Sequence, residues 1–158
     1  MREMESYPAR LHHETPGWVK PGSLFHVRIR LEKDAPFQFT DEAVAGTLLS
    51  AARMYHEPKK WHVHLFLIMP DHVHAMLSFQ ADTAMSEVVR NWKRGTTRMH
   101  GVKWQENYFD HRLRTDEEAA KTWIYIRRNP VVKGLCEAED DWRWWWSGTQ
   151  GDGGALCR

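Results

Sequence analysis

Two β-prone runs separated by one Pro-Asp pair constrain this chain more than any other feature. Trp61–Met69 (WHVHLFLIM) and His72–Phe79 (HVHAMLSF) are rich in branched and aromatic residues and have strand length. Pro70-Asp71 between them is turn chemistry, so the runs read as an antiparallel hairpin. Ser23–Leu31 (SLFHVRIRL) alternates. Leu24, His26, Arg28 and Arg30 share one face, and Phe25, Val27, Ile29 and Leu31 share the other, as in a half-buried strand. Between these strands, Asp41 opens a helix to about Tyr55, with Val44, Leu48, Ala51, Ala52 and Tyr55 at helical spacing and Glu57-Pro58 at its exit. After the hairpin, Asp82 or Thr83 opens a second helix that Gly101 ends at His100, with Met85, Val88, Val89 and Trp92 on its buried stripe. A fourth strand falls around Tyr108–Leu113. Thr115 with Glu118 is a capping-box signature for a third helix, expected to stop near Arg128 because Pro130 follows. The order β-α-β-β-α-β plus a further helix predicts an α+β, ferredoxin-like antiparallel sheet, with that helix on the other face or along an edge.

At 158 residues with 42% hydrophobic and 27% charged positions, the chain has the make-up of one globular domain. No run approaches the roughly 18 apolar residues of a membrane span. The opening MREMESYPARLHHE has no apolar signal region, and the two cysteines, Cys136 and Cys157, read as reduced thiols of a cytoplasmic protein. Residues 1–22 read as a surface arm, 23–147 as the functional domain and 148–158 as a flexible tail. The net charge of +1 conceals an uneven distribution. Residues 90–133 hold 11 Lys/Arg against 5 Asp/Glu, interleaved with Trp92, Trp104, Tyr108, Phe109, Trp123 and Tyr125. That mixture suits a polyanion with stackable bases, or equally a solvated helix face above ordinary core aromatics.

Three constellations carry potential chemistry. His62-Val63-His64 and His72-Val73-His74 each aim two imidazoles at one side of a strand, which is either a good arrangement for a divalent ion or, as is more common for so short a motif, two partly exposed histidines. If Pro70-Asp71 is a two-residue loop, the triplets project to opposite faces and only one joins an open-face site; one extra residue reverses that parity. On the third helix Tyr125 and Asn129 are four apart and share a face. Either they approach one phosphate together, or the ring packs on the sheet and Asn129 caps the helix. Trp104–Arg114 (WQENYFDHRLR) offers Arg112 and Arg114 to DNA phosphates, or is an amphipathic strand facing water.

The segments MPDHVHAML (Met69–Leu77), WQENYFDHRLR and YIRRNPVVKGL (Tyr125–Leu135), in that order, resemble the single-tyrosine HUH transposases of the IS200 type, closest to the REP-associated tyrosine transposases. The resemblance spans roughly residues 17–147. It implies a ferredoxin-like core, Tyr125 as the nucleophile, and His72, His74 and Asn129 as ligands of Mg²⁺ or Mn²⁺. His62 and His64 do not align with the motif, and Tyr108 falls at an aromatic rather than a catalytic position. The implied reaction is cleavage and rejoining of single-stranded or hairpin DNA through a 5′-phosphotyrosine, by a monomer or homodimer. Arg90, Lys93, Arg94, Arg98, Arg112, Arg114, Arg127 and Arg128 are the expected DNA contacts. A binding protein without catalysis, or a hydrolase using water, are the competing expectations. The run Trp144-Trp145-Trp146 departs from the family pattern.

Overall fold

The computed structural model describes residues 23–56, 60–80 and 83–148. The expected arm at 1–22, the Glu57-Pro58 exit, Asp82, Cys157 and the tail from residue 149 onward lie outside the described residues. Strands β1 (Leu24–Arg30), β2 (His62–Met69), β3 (His72–Ser78), β4 (Phe109–Leu113) and β5 (Trp145–Trp146) alternate with helices α1 (Glu42–His56), α2 (Met85–His100) and α3 (Asp116–Val132). The sheet is antiparallel throughout, in the order β4-β1-β3-β2-β5. This is the expected ferredoxin-like arrangement with one added edge strand.

Met69 pairs with His72, so Pro70-Asp71 is the two-residue loop that the hairpin reading required. The alternation of β1 holds as well. Val27 and Ile29 face the main core, where Leu48 of α1 and Val89 and Trp92 of α2 pack on Phe66, Ile68, Val73 and Ala75. The opposite face of the sheet is covered by α3. Ile126 lies there against Leu65, Leu67, Met69, Met76 and Leu113. β3 is thus buried on both faces, all seven residues included.

Three local features differ from expectation. α2 starts at Met85 behind Ala84, with no side-chain cap, so Thr83 does not serve as one. Gly101 ends that helix as expected, at φ 69°, a left-handed conformation that glycine adopts without Cβ strain. α3 continues through Pro130 to Val132 instead of stopping at Arg128. Proline removes one amide donor, but the following turn is intact, with Lys133 N–H donating to the Asn129 carbonyl and Leu135 N–H to that of Pro130. The tryptophan run, to which the sequence assigned no structure, forms β5 on the outer edge of β2. The Ile68 amide donates to the Trp144 carbonyl, and Trp142 Nε1 donates to the Ile68 carbonyl at 3.0 Å.

Thr115 caps α3 as its spacing demands: its hydroxyl accepts from the Glu118 amide at 3.0 Å. The reciprocal half of the capping box is redirected. Glu118 accepts from the Arg114 amide, and its other oxygen lies 3.3 Å from His111 Nε2, tying the first turn of α3 to β4. No described helix is long and apolar enough to cross a membrane.

Candidate active site

The face of the sheet under α3 gathers the imidazoles. Because β3 alternates, His72 and His74 point to that face, and their Nε2 atoms approach to 3.1 Å. The opposite ring nitrogens are occupied. His72 Nδ1 lies 2.6 Å from Asp71 Oδ1, and His74 Nδ1 lies 3.0 Å from His26 Nε2. A carboxylate only accepts, so His72 carries its proton on Nδ1 and turns a lone pair outward from Nε2. Burial lowers the pKa of His72 despite the neighbouring Asp71, and lowers that of His74 further, with the adjacent His72 and His26 adding to the effect. Both rings are therefore neutral at pH 7. Two neutral donor atoms 3.1 Å apart suit one divalent ion at about 2.1 Å from each.

α3 brings the phenol to the same place. The Tyr125 ring packs edge-on against His74, with centroids 5.9 Å apart and planes at 84°. Both residues belong to one chain. Asn129 lies one turn further along α3, is only 5% exposed, and its Oδ1 has no hydrogen-bond partner. Since the helix runs on to Val132 with Lys133 at its C-cap, Asn129 is not a helix cap. A buried carbonyl oxygen without a hydrogen-bond partner, one helical turn from the phenol that meets His74, is the donor type a hard divalent cation accepts alongside imidazoles. Among the described residues no group of three or more His, Cys, Asp or Glu is arranged to hold a metal.

Tyr108, the alternative phenol, sits in the core on the other face of the sheet, and burial pushes its pKa up. His62 and His64 do not project opposite to His72 and His74. An irregularity between Val63 and Leu65 inserts an extra residue. Val63 keeps its place in the main core, while the His64 ring reaches Ser78 Oγ, on the β3 face that carries His72 and His74, at 3.0 Å.

The expected DNA contacts divide into groups. Arg90, Arg94 and Arg98 are exposed on α2. They line a groove of about 1000 Å³ together with Lys93, Lys103, Trp104 and Tyr108. Lys93 is partly committed, because its Nζ donates to the carbonyls of Gln105 and Glu106 at 2.7 and 2.9 Å. Arg112 points from β4 to the α1/α2 side of the sheet, away from the histidine pair, as its pairing with Phe25 requires. Arg114 and Arg128 are exposed, Arg128 with Glu139 at 3.8 Å. Arg127 departs from expectation. It is 5% exposed, its guanidinium stacked 4.0 Å from the Trp145 ring and within 3.5 Å of Asp140. It braces α3 against the tryptophan segment and presents no free surface to a phosphate. Half of the interleaved aromatics are likewise structural, since Trp92, Tyr108 and Phe109 are buried.

Two groups carried no functional signal beyond the alternation of β1. His26 is the buried partner of His74, and burial, then the Arg28 charge, lowers its pKa to about 3. Arg28 and Arg30 pair across the ladder with His74 and His72, which puts two guanidinium-bearing residues beside the imidazoles.

The family model for IS200-like transposases matches residues 25–129. Comparison of the sequence with curated proteins finds no relative. Among solved structures, a REP-associated tyrosine transposase bound to a REP hairpin superposes with a TM-score of 0.70 at 20% identity, over 85% of this chain and 82% of its own. A protein of Deinococcus radiodurans R1 assigned provisionally as a transposase gives 0.49 at 16% identity, over 78% and 98%. The family match spans the hairpin with His72 and His74, the basic helix α2 and the helix bearing Tyr125 and Asn129, and the chain belongs to the IS200-like transposase family.

Proposed function

We propose that this transposase cleaves and rejoins single-stranded DNA next to a hairpin, with Tyr125 as the attacking group and His72, His74 and Asn129 as holders of Mg²⁺ or Mn²⁺. The observation that carries the reading is the contact of the Tyr125 ring with His74, whose Nε2 converges with that of His72. When bound, the divalent ion supplies Lewis-acid polarisation of the scissile phosphate and offsets charge in the transition state. The ligand set is neutral, so it leaves the positive charge of the ion available to an anionic substrate.

Tyr125 gives up its phenolic proton, and Oη forms a bond to phosphorus as the bond from phosphorus to the 3′ oxygen breaks. The electron pair leaves with that oxygen, which takes up a proton. The products are a 5′-phosphotyrosine and a free 3′-OH. Attack of another 3′-OH on the linkage reverses the chemistry and joins strands. A phenol, with a reference pKa of about 10, is a better leaving group than an alkoxide, so the stored bond is reusable without ATP.

The groove along α2 supports binding of a phosphate backbone by Arg90, Arg94 and Arg98. It shares Glu32 and Gln105 with a smaller depression that reaches Arg30 and Asp71 at the edge of the histidine site. That continuity suits a hairpin on α2 whose single-stranded flank passes the β2–β3 turn. The hairpin in the similar solved structure points to the same class of substrate.

The test is incubation with hairpin-bearing single-stranded DNA and Mn²⁺, followed by a denaturing gel. A covalent adduct that disappears in Tyr125→Phe is the expected result. Cleavage persisting in Tyr125→Phe would assign the attack to water, and binding without cleavage by the wild type would reduce the chain to a binding protein.

A further inference from the structure

We propose that His26, on the neighbouring strand β1, is a positioning residue that presets the His74 ring for the metal. The inference rests on the metal-holding reading above and deepens it. His26 Nε2 meets His74 at Nδ1, the nitrogen facing away from His72, so His26 is not itself a ligand alongside His74 Nε2. To present a lone pair at Nε2, His74 must carry its proton on Nδ1, and a buried N–H needs an acceptor. With the ion bound, the Nε2 atom of His26 is that acceptor, which places the proton of His26 on its own Nδ1, a buried atom without a hydrogen-bond partner, at a cost that ion binding offsets.

The surroundings hold His26 still. β1 lies between β3 and β4, with His26 opposite Met76 on one side and His111 on the other. Its ring stacks on His74 at 5.2 Å and 26°, and meets the Phe109 ring edge-on at 5.6 Å. At 2% exposure no water competes for the contact. The corresponding partner of His72 is different: the Asp71 side chain is 67% exposed, and its hold on His72 is shared with solvent. His74 is therefore the ligand whose orientation is set from inside the sheet. The acceptor is also uncharged, so it orients the ligand without placing a carboxylate beneath a phosphate site.

Mn²⁺ titration of the full-length protein, followed by the electron paramagnetic resonance signal of the free ion, tests this. His26→Phe keeps a ring of similar size and removes the acceptor. Its Mn²⁺ affinity is expected to fall about 10- to 100-fold, with hairpin binding in EDTA unchanged. His26→Gln places an amide oxygen where Nε2 was and is expected to restore most of the affinity. A folded His26→Phe protein with wild-type affinity overturns the inference and leaves the metal site standing, whereas a wild type that binds no Mn²⁺ overturns both. A measurement on the native chain does not depend on how the variants fold. Long-range ¹H–¹⁵N correlation of the imidazoles at neutral pH in saturating Mg²⁺ is expected to find His74 protonated on Nδ1. Protonation on Nε2 would overturn the inference.

Discussion

The hairpin carries the same tripeptide twice, and the two copies end in different surroundings. At the turn end, His72 and His74 lie beneath α3, each with its far nitrogen engaged and the two Nε2 atoms facing each other. At the other end, the His62 and His64 rings meet edge-on at 4.5 Å, His62 is exposed, and His64 spends its Nε2 on the Ser78 hydroxyl. Spacing on a strand is common to both. A regular ladder, a buried acceptor behind the ring and a helix bearing a phenol belong to one copy alone. Two histidines at i and i+2 become a ligand pair only when something behind them decides which nitrogen points outward.

The comparison breaks most sharply on covalent chemistry. His72→Ala or His74→Ala is expected to bring the DNA–protein adduct below detection on a denaturing gel, while His62→Ala or His64→Ala stays within about twofold of wild type. Equal losses at both ends would erase the distinction. Next in size is the cover over the active pair. Ile126→Ala, which opens a void beneath α3, is expected to cost about 2–5 kcal/mol in urea unfolding. A cost near zero would mean that the helix is not anchored to Leu65, Leu67 and Met76. Replacing Arg90, Arg94 and Arg98 together with Gln addresses binding rather than chemistry. Hairpin affinity is expected to fall about 10- to 100-fold at low salt, and the slope of log K against log salt to flatten by about 2 to 3. An unchanged slope would remove the α2 groove from the interface.

The smallest effect is the response to acid. Burial lowers the pKa of His64 to about 4, with His62 and His56 adding to it, against 6.5 in the unfolded chain. Below pH 6.5 the unfolded chain therefore binds more protons at this position. The contribution of His64 is fully present above that pH and is lost as pH falls towards about 4. His64→Ala is expected to flatten the fall in melting temperature across this window and to leave the melting temperature above pH 7 with the same lack of pH dependence. A slope identical to wild type would mean that the His64 ring is hydrated in solution.

Period and punctuation made the seven principal elements legible: the alternation in SLFHVRIRL, the Pro70-Asp71 turn, Thr115 before Glu118, and Gly101 after His100. Those signals are local, and so are their physical causes. The features that escaped notice depend on contacts between distant segments. The extra residue near His64 is invisible in a run of alternating residues, because only pairing with β3 exposes it. Trp145-Trp146 is a strand only because β2 has an edge to accept it. Arg127 looks like a phosphate contact until Trp145 and Asp140 close over it. His72, His74, Tyr125 and Asn129 were legible through motif resemblance, and the fold sets the Tyr125 ring against His74. His26 was legible only as a member of a face, since its meaning comes from the strand beside it.

β5 has one more consequence. A sheet with a bare flank invites another chain to extend it as a ribbon, and charge or cover at the flank is the usual defence. Here the flank of β2 is shut by a two-residue strand, with Trp142 clipped onto Ile68. Among the described residues, the edge left for strand addition is that of β4, which carries Arg112.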